Sequence, residues 1–134
     1  MRTNLLVPVL LTRAFAARTR QGRVVNLLDR RIATHDIACV PYLLSKSGLA
    51  EFTRLAALAL APGIAVNAVA PGAILPPAGA AGQRTPDRAG QVPLRVRVTP
   101  ADVAAAVVAL LKADSVTGQV VFVDGGQHLL GTGV

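Results

Sequence analysis

Three short apolar runs, RVVNLL (23–28), IAVNAVA (64–70) and QVVFVDGG (119–126), decide what this chain can fold into. They are rich in valine and show no alternation of polar with apolar residues, so each predicts a strand buried on both faces. Helical periodicity separates them. Leu5, Leu6, Val9, Leu10 and Ala14 recur at three- and four-residue spacing and predict a helix over 3–20, stopped by Gly22. Pro41 suits the first turn of a second helix reaching about residue 61, where Pro62-Gly63 ends it; Leu49, Phe52, Ala56 and Leu60 form its stripe. Thr99-Pro100-Ala101-Asp102 starts a third, apolar to Leu111. Helix alternating with strand in this order predicts an α/β fold, a parallel sheet sandwiched between helices. A three-stranded sheet of this kind keeps one bare, apolar edge, on which something belongs.

The 134 residues suffice for a single domain, 1–134, with no internal repeat and no linker. Aromatics make up only 3% of the chain, so the core is built from Ala, Val, Leu and Ile. The formal charge of +7 is spread over scattered arginines with almost no aromatics between them, which argues against nucleic-acid binding. Cys39 is the single cysteine, and His35 and His128 are far apart, so neither a disulfide framework nor a metal site is expected. That pattern fits a reducing, cytoplasmic setting. Residues 55–83 carry no charge, but Pro62, Gly63, Asn67, Pro71, Gly72, Pro76 and Pro77 would break a membrane-spanning helix. MRTNLLVPVLLTRAFA has some features of a signal peptide, yet Pro8, Thr12 and Arg13 interrupt its apolar run. Neither segment is expected in a membrane. Residues 73–98 are rich in Pro, Gly and Arg without periodicity, as in a flexible loop that closes over substrate.

Within VPYLLSKSGL (40–49), Tyr42 and Lys46 stand four residues apart, on one helical face. A free phenol ionises near pH ~10. An ammonium about 4 Å away would favour the phenolate by up to ~4 kcal/mol at an effective dielectric near 20. The pairing would then lower the phenol's pKa by up to roughly 3 units, towards the range useful for acid–base catalysis. A Tyr-x-x-x-Lys spacing alone is common surface decoration. Its company matters more: Asp29 follows the first strand and Pro71-Gly72 the second, both at the carboxyl edge where parallel sheets bind ligands.

In NLLVPVLLTRAFA, VVNLLD, YLLSK, IAVNAVAPGAI and TGQVVFVDGG, taken in this order, the chain resembles the short-chain dehydrogenase/reductase family. The resemblance implies the C-terminal half of a Rossmann-type doubly wound parallel sheet, with three strands and three helices, the first nucleotide-binding half missing. It implies Tyr42 as proton donor, Lys46 as pKa modulator and ribose ligand, and Asn4 as support of a relay water. Tyr42, Lys46, Pro71, Gly72 and Ile74 would contact NADP(H). Asp29 stands where most members have serine; together with APGAILPP (Leu75 and Pro76 included) it is similar to the pteridine reductase branch, in which Asp and Tyr protonate a pterin ring. The implied activity is NADPH-dependent reduction of a pterin, another flat heterocycle or a carbonyl by a homodimer or homotetramer. No strand–Gly-rich turn–helix for the pyrophosphate occurs in the sequence; Gly79, Gly82 and Gly90 fall in the long loop. The expected chain is therefore a truncated enzyme, or alternatively a non-catalytic half-domain that associates with intact relatives. Asn26, Asn67, Gly125 and Gly126 are expected to be structural.

Overall fold

A computed structural model describes residues 1–34, 39–74 and 92–130. His35 and most of the loop at 73–98, with Leu75 and Pro76, lie outside the described residues. Strands β1 (Gly22–Leu27), β2 (Ile64–Pro71) and β3 (Val120–Val123) form one parallel sheet in the order β1-β2-β3. Helices α1 (Val7–Ala16), α2 (Val40–Ala59) and α3 (Pro100–Lys112) flank it. Among the described residues, no helix is long and apolar enough to cross a membrane, and no cluster of His, Cys, Asp and Glu could hold a metal ion.

The two crossovers lie on opposite faces. Ile64, Val66, Ala68 and Ala70 of β2 pack with Leu49, Ala50, Ala56 and Ala57 of α2. Val24 of β1 joins that side, so its neighbour Arg23 points the other way; its Nε donates to the Leu111 carbonyl of α3 at 3.0 Å. With both faces covered, Val66, Ala68, Val69 and Ala70 have no exposed surface. This is why the β2 sequence is continuously apolar.

Asn67 interrupts that run for a structural reason. Its side chain donates to the Val116 carbonyl at 2.8 Å and accepts from the Gln119 amide at 3.0 Å, tying β2 to the turn that launches β3. Asn26 donates to Thr53 Oγ1 of α2 at 3.0 Å. Gly125 and Gly126 have φ of +65° and +87°, as a tight turn demands.

The helix expected over 3–20 is corrected at both ends. Arg2–Leu6 form a π-helical turn, and the α-helix proper ends at Ala16. Pro8 has no N–H to give to the carbonyl four residues earlier, that of Asn4, so the ladder widens there. Gly22 does not stop the helix; it opens β1. A Cβ on it would lie 2.6 Å from the Phe15 ring, so helix and strand meet closely here.

The start of α3 follows the expected pattern. Thr99 Oγ1 accepts from the Asp102 amide, and the Asp102 carboxylate accepts from the Thr99 amide at 2.7 Å, completing a capping box. Thr99→Ala is expected to destabilise the fold by about 1 kcal/mol. The check is urea unfolding: a lower midpoint with an unchanged slope, whereas an unchanged midpoint would show that the cap is dispensable.

Candidate active site

The parallel register brings the ends of β1 and β2 side by side, Leu27 beside Val69, and the Leu28 amide donates to the Val69 carbonyl at 2.8 Å. From this carboxyl edge β1 runs into Asp29, which caps a short 3-10 turn, Arg30–Ala33, by accepting from the Arg31 amide at 2.8 Å. The turn folds the Arg31 side chain back onto its own cap. Nε meets Asp29 Oδ1 at 3.1 Å and Nη2 meets Oδ2 at 3.0 Å, a two-pronged ion pair.

Tyr42, in the first turn of α2, donates its hydroxyl to Asp29 Oδ2 at 3.0 Å. The Arg31 guanidinium sits over the same ring, 5.1 Å from its centre. One turn on, Lys46 donates its ammonium to the Leu27 carbonyl at 2.7 Å, anchoring the helix to the last residue of β1. The lysine nitrogen is 5.8 Å from the Tyr42 ring centre. Tyr42, Lys46 and Asp29 are thus assembled as a group. Arg31, absent from the sequence reading, completes it.

The electrostatics correct one expectation. Tyr42 is not made more acidic: burial first, then the negative charge and hydrogen bond of Asp29, push its pKa above the ordinary phenol value, with Arg31 opposing. The ammonium expected to lower it is held on the Leu27 carbonyl instead. Burial also lowers the Lys46 pKa, against the pull of Asp29. Asp29 goes the other way. Burial would raise it, but the hydrogen bonds and charge of Arg31 outweigh burial and hold it below the ordinary carboxylate value. Its oxygens accept from the Arg31 amide, Nε and Nη2 and from Tyr42, about the four donors that a carboxylate can take. With four donors on its oxygens and a lowered pKa, Asp29 is held as an ionised acceptor.

The other expected residues are less directly engaged. Asn4 lies in the π-helical turn packed against α2, half-buried, and no hydrogen bond joins it to Tyr42, Lys46 or Asp29 among the described residues. Pro71 ends β2, and the Gly72 amide donates to the Val123 carbonyl at 2.9 Å. A Cβ at Gly72 would stand 3.0 Å from that of Asp124, so packing alone accounts for this glycine. Ile74 is half-buried just beyond. Asp124, almost fully buried, accepts from the Gly126 and His128 amides and pairs with His128 Nδ1, while the His128 ring stacks on Phe122.

Comparison with known proteins agrees with this architecture. A family model described as enoyl-(acyl carrier protein) reductase matches residues 1–128. A protein named as a ketoacyl reductase of the granaticin polyketide synthase of Streptomyces violaceoruber is 41% identical over 118 residues, 85% of this chain and 47% of that one. The short-chain dehydrogenase/reductase homolog YusR of Bacillus subtilis is 34% identical over 116 residues, 86% of this chain and 90% of its own length. Pteridine reductase 1 of Leishmania tarentolae is 33% identical over 140 residues, 95% of this chain and 48% of that one. The solved structure of FolM alternative dihydrofolate reductase 1 from Brucella canis, complexed with NADP, superposes with a TM-score of 0.78 at 34% identity. That match covers 94% of this chain and 51% of FolM. The chain thus spans about half the length of the ketoacyl reductase, the pteridine reductase and FolM, and most of YusR. The parallel sheet, the family match over nearly the whole chain and these relatives together make it a member of the short-chain dehydrogenase/reductase family.

Proposed function

We propose that this chain is the catalytic half of an NADPH-dependent reductase acting on a pterin or a similar flat heterocycle, with Tyr42 as the proton donor. One observation carries the reading: the Tyr42 hydroxyl rests on an ionised Asp29 beside a lysine anchored to the end of β1. The likeness to FolM supports both the cofactor and the substrate class.

The donors present suit the nicotinamide end of a dinucleotide. Lys46 uses one of its three N–H bonds on Leu27, leaving two for ribose hydroxyls. Pro71, Gly72 and Ile74 follow the same sheet edge and would border the nicotinamide. When bound, NADPH supplies hydride to the substrate. The protein's own work is with the proton. Tyr42, protonated across the neutral range, releases it to the substrate atom made basic by reduction. The phenolate left beside Asp29 is offset by the Arg31 guanidinium over the ring and by the Lys46 ammonium. Asn4, whose carbonyl can receive no bond from Pro8, would support the water that returns a proton to Tyr42. The exposed apolar residues of α1 and α2, such as Leu10, Leu11, Leu55 and Leu58, suit association into a homo-oligomer.

With no strand–Gly-rich turn–helix in its sequence, the 134-residue chain is expected to leave NADPH fluorescence nearly unchanged in titrations to micromolar concentrations. Fused behind such a unit from a relative, it is expected to bind NADPH and consume it with a dihydropterin. Micromolar binding by the chain alone would contradict this division of labour. A fusion that reduces simple ketones but not dihydropterins would remove the pterin assignment.

A second reading is a non-catalytic half-domain that associates with an intact relative. It is favoured by the match to YusR, of which the chain covers 90%. Co-purification with a full-length relative, without gain of activity in the fusion above, would select it.

A further inference from the structure

The Asp29–Arg31 pair does more than stabilise a turn. Hydrogen-bond geometry gives Asp29 three contacts from Arg31 and one from Tyr42, and the three from Arg31 depend on the two-residue spacing set by the 3-10 turn. The same guanidinium covers the phenol ring. One cation thus touches both partners of the proton-bearing pair from a position where it cannot itself give up a proton.

We propose that Arg31 is the positioning residue that fixes where the transferable proton resides: it holds Asp29 as an oriented acceptor, so that Tyr42 alone carries a proton for the substrate. This rests on the reductase reading for its catalytic meaning but not for its physical content. Without the Arg31 guanidinium, the half-buried Asp29 carboxylate would take up a proton of its own more readily, beside the one on Tyr42. Burial would raise Asp29 against only the hydrogen bonds of the residue-31 amide and the Tyr42 hydroxyl, and the charge of Asp29 would raise Tyr42 with less opposition.

Among the described residues, the charged and titratable groups around the pair are few. Lys46 faces it from α2, and Arg30 and Cys39 flank it in sequence, Cys39 as a hydrogen-bond partner of Arg31. The 3-10 turn Gln127–Leu130, which packs on Arg30–Ala33, brings His128, itself paired with Asp124.

Tyr42 is the chain's only tyrosine, and there is no tryptophan. Phenolate absorbance near 295 nm therefore reports this one hydroxyl, while the carboxyl-carbon NMR shift of Asp29, assigned with Asp29→Asn, reports its partner. Both can be followed in the 134-residue protein without cofactor. In Arg31→Gln the Asp29 transition is expected to move up in pH and the Tyr42 transition to move up as well. Arg31→Lys, which keeps the charge but loses the fork, should fall between Arg31→Gln and wild type. Asp29→Asn should move the Tyr42 transition down. Coincident Asp29 transitions in wild type and Arg31→Gln would overturn the proposal, as would an Arg31→Lys protein indistinguishable from Arg31→Gln in both titrations. Should Arg31→Gln fail to fold by circular dichroism, the Arg31→Lys and Asp29→Asn titrations decide alone. These readouts involve no turnover, so failure of the pterin assignment leaves them unaffected.

Discussion

Tyr42→Phe is expected to lower turnover of the cofactor-competent reductase by about 10²–10⁴-fold, the usual contribution of a positioned general acid. The ring remains packed under Arg31, and Lys46 keeps its anchor on Leu27, so cofactor affinity should barely change. What disappears is one hydroxyl and the proton it carries. Steady-state kinetics with NADPH fluorescence titration separates the two effects; retained turnover would reject Tyr42 as the acid. The pH profile follows from the directions of the shifts. Because the Tyr42 pKa is raised, its proton is present at neutral and mildly alkaline pH, and reduction falls off only as pH rises through that raised value. Because the Asp29 pKa is depressed, the acceptor stays ionised until pH falls through the lowered value. The contribution of Asp29 to folding has the same sign: fully present above the ordinary carboxylate pKa, and lost as pH falls through the folded-state value.

Asn67→Leu is expected to cost about 1–3 kcal/mol of folding stability, because the half-buried Val116 carbonyl and the amide of exposed Gln119 each lose a partner at about 0.5–1.5 kcal/mol. Domains of this size have only about 5–15 kcal/mol in total. Asn67 itself is 1% exposed, whereas Gln119 is exposed and Val116 half-buried, so water recovers part of the loss. Asn26→Leu makes a useful contrast. Its partner Thr53 still donates to the Leu49 carbonyl, so a smaller loss is expected there. Urea unfolding of the two variants tests the difference, and equal midpoints for Asn67→Leu and wild type would discard the strut.

Much of this was legible from residue pattern. Continuous apolar runs located the strands because both faces of β2 are buried, and Thr99-Pro100 announced α3 because its capping box is local in sequence. Asn67 could be judged structural because a lone amide within an apolar strand must find partners. Other features depend on three-dimensional choices that spacing does not encode. Position four residues after Tyr42 predicts that Lys46 is near it, but not that the Leu27 carbonyl captures the ammonium. Asp-x-Arg is an ordinary spacing, and only the 3-10 turn makes it a fork. The apolar spacing of 3–20 did not show that the missing donor of Pro8 would widen the turn around Asn4. Nor could the pattern say that α2 and α3 lie on opposite faces.

The open side of β1 has a practical consequence. Among the described residues β1 hydrogen-bonds to β2 alone, and Leu27 at its end is 53% exposed, so a row of amides and carbonyls is offered to any extended segment nearby. Such a rim templates strand addition by unfolded neighbours, and solubility should therefore worsen with concentration and with slow refolding.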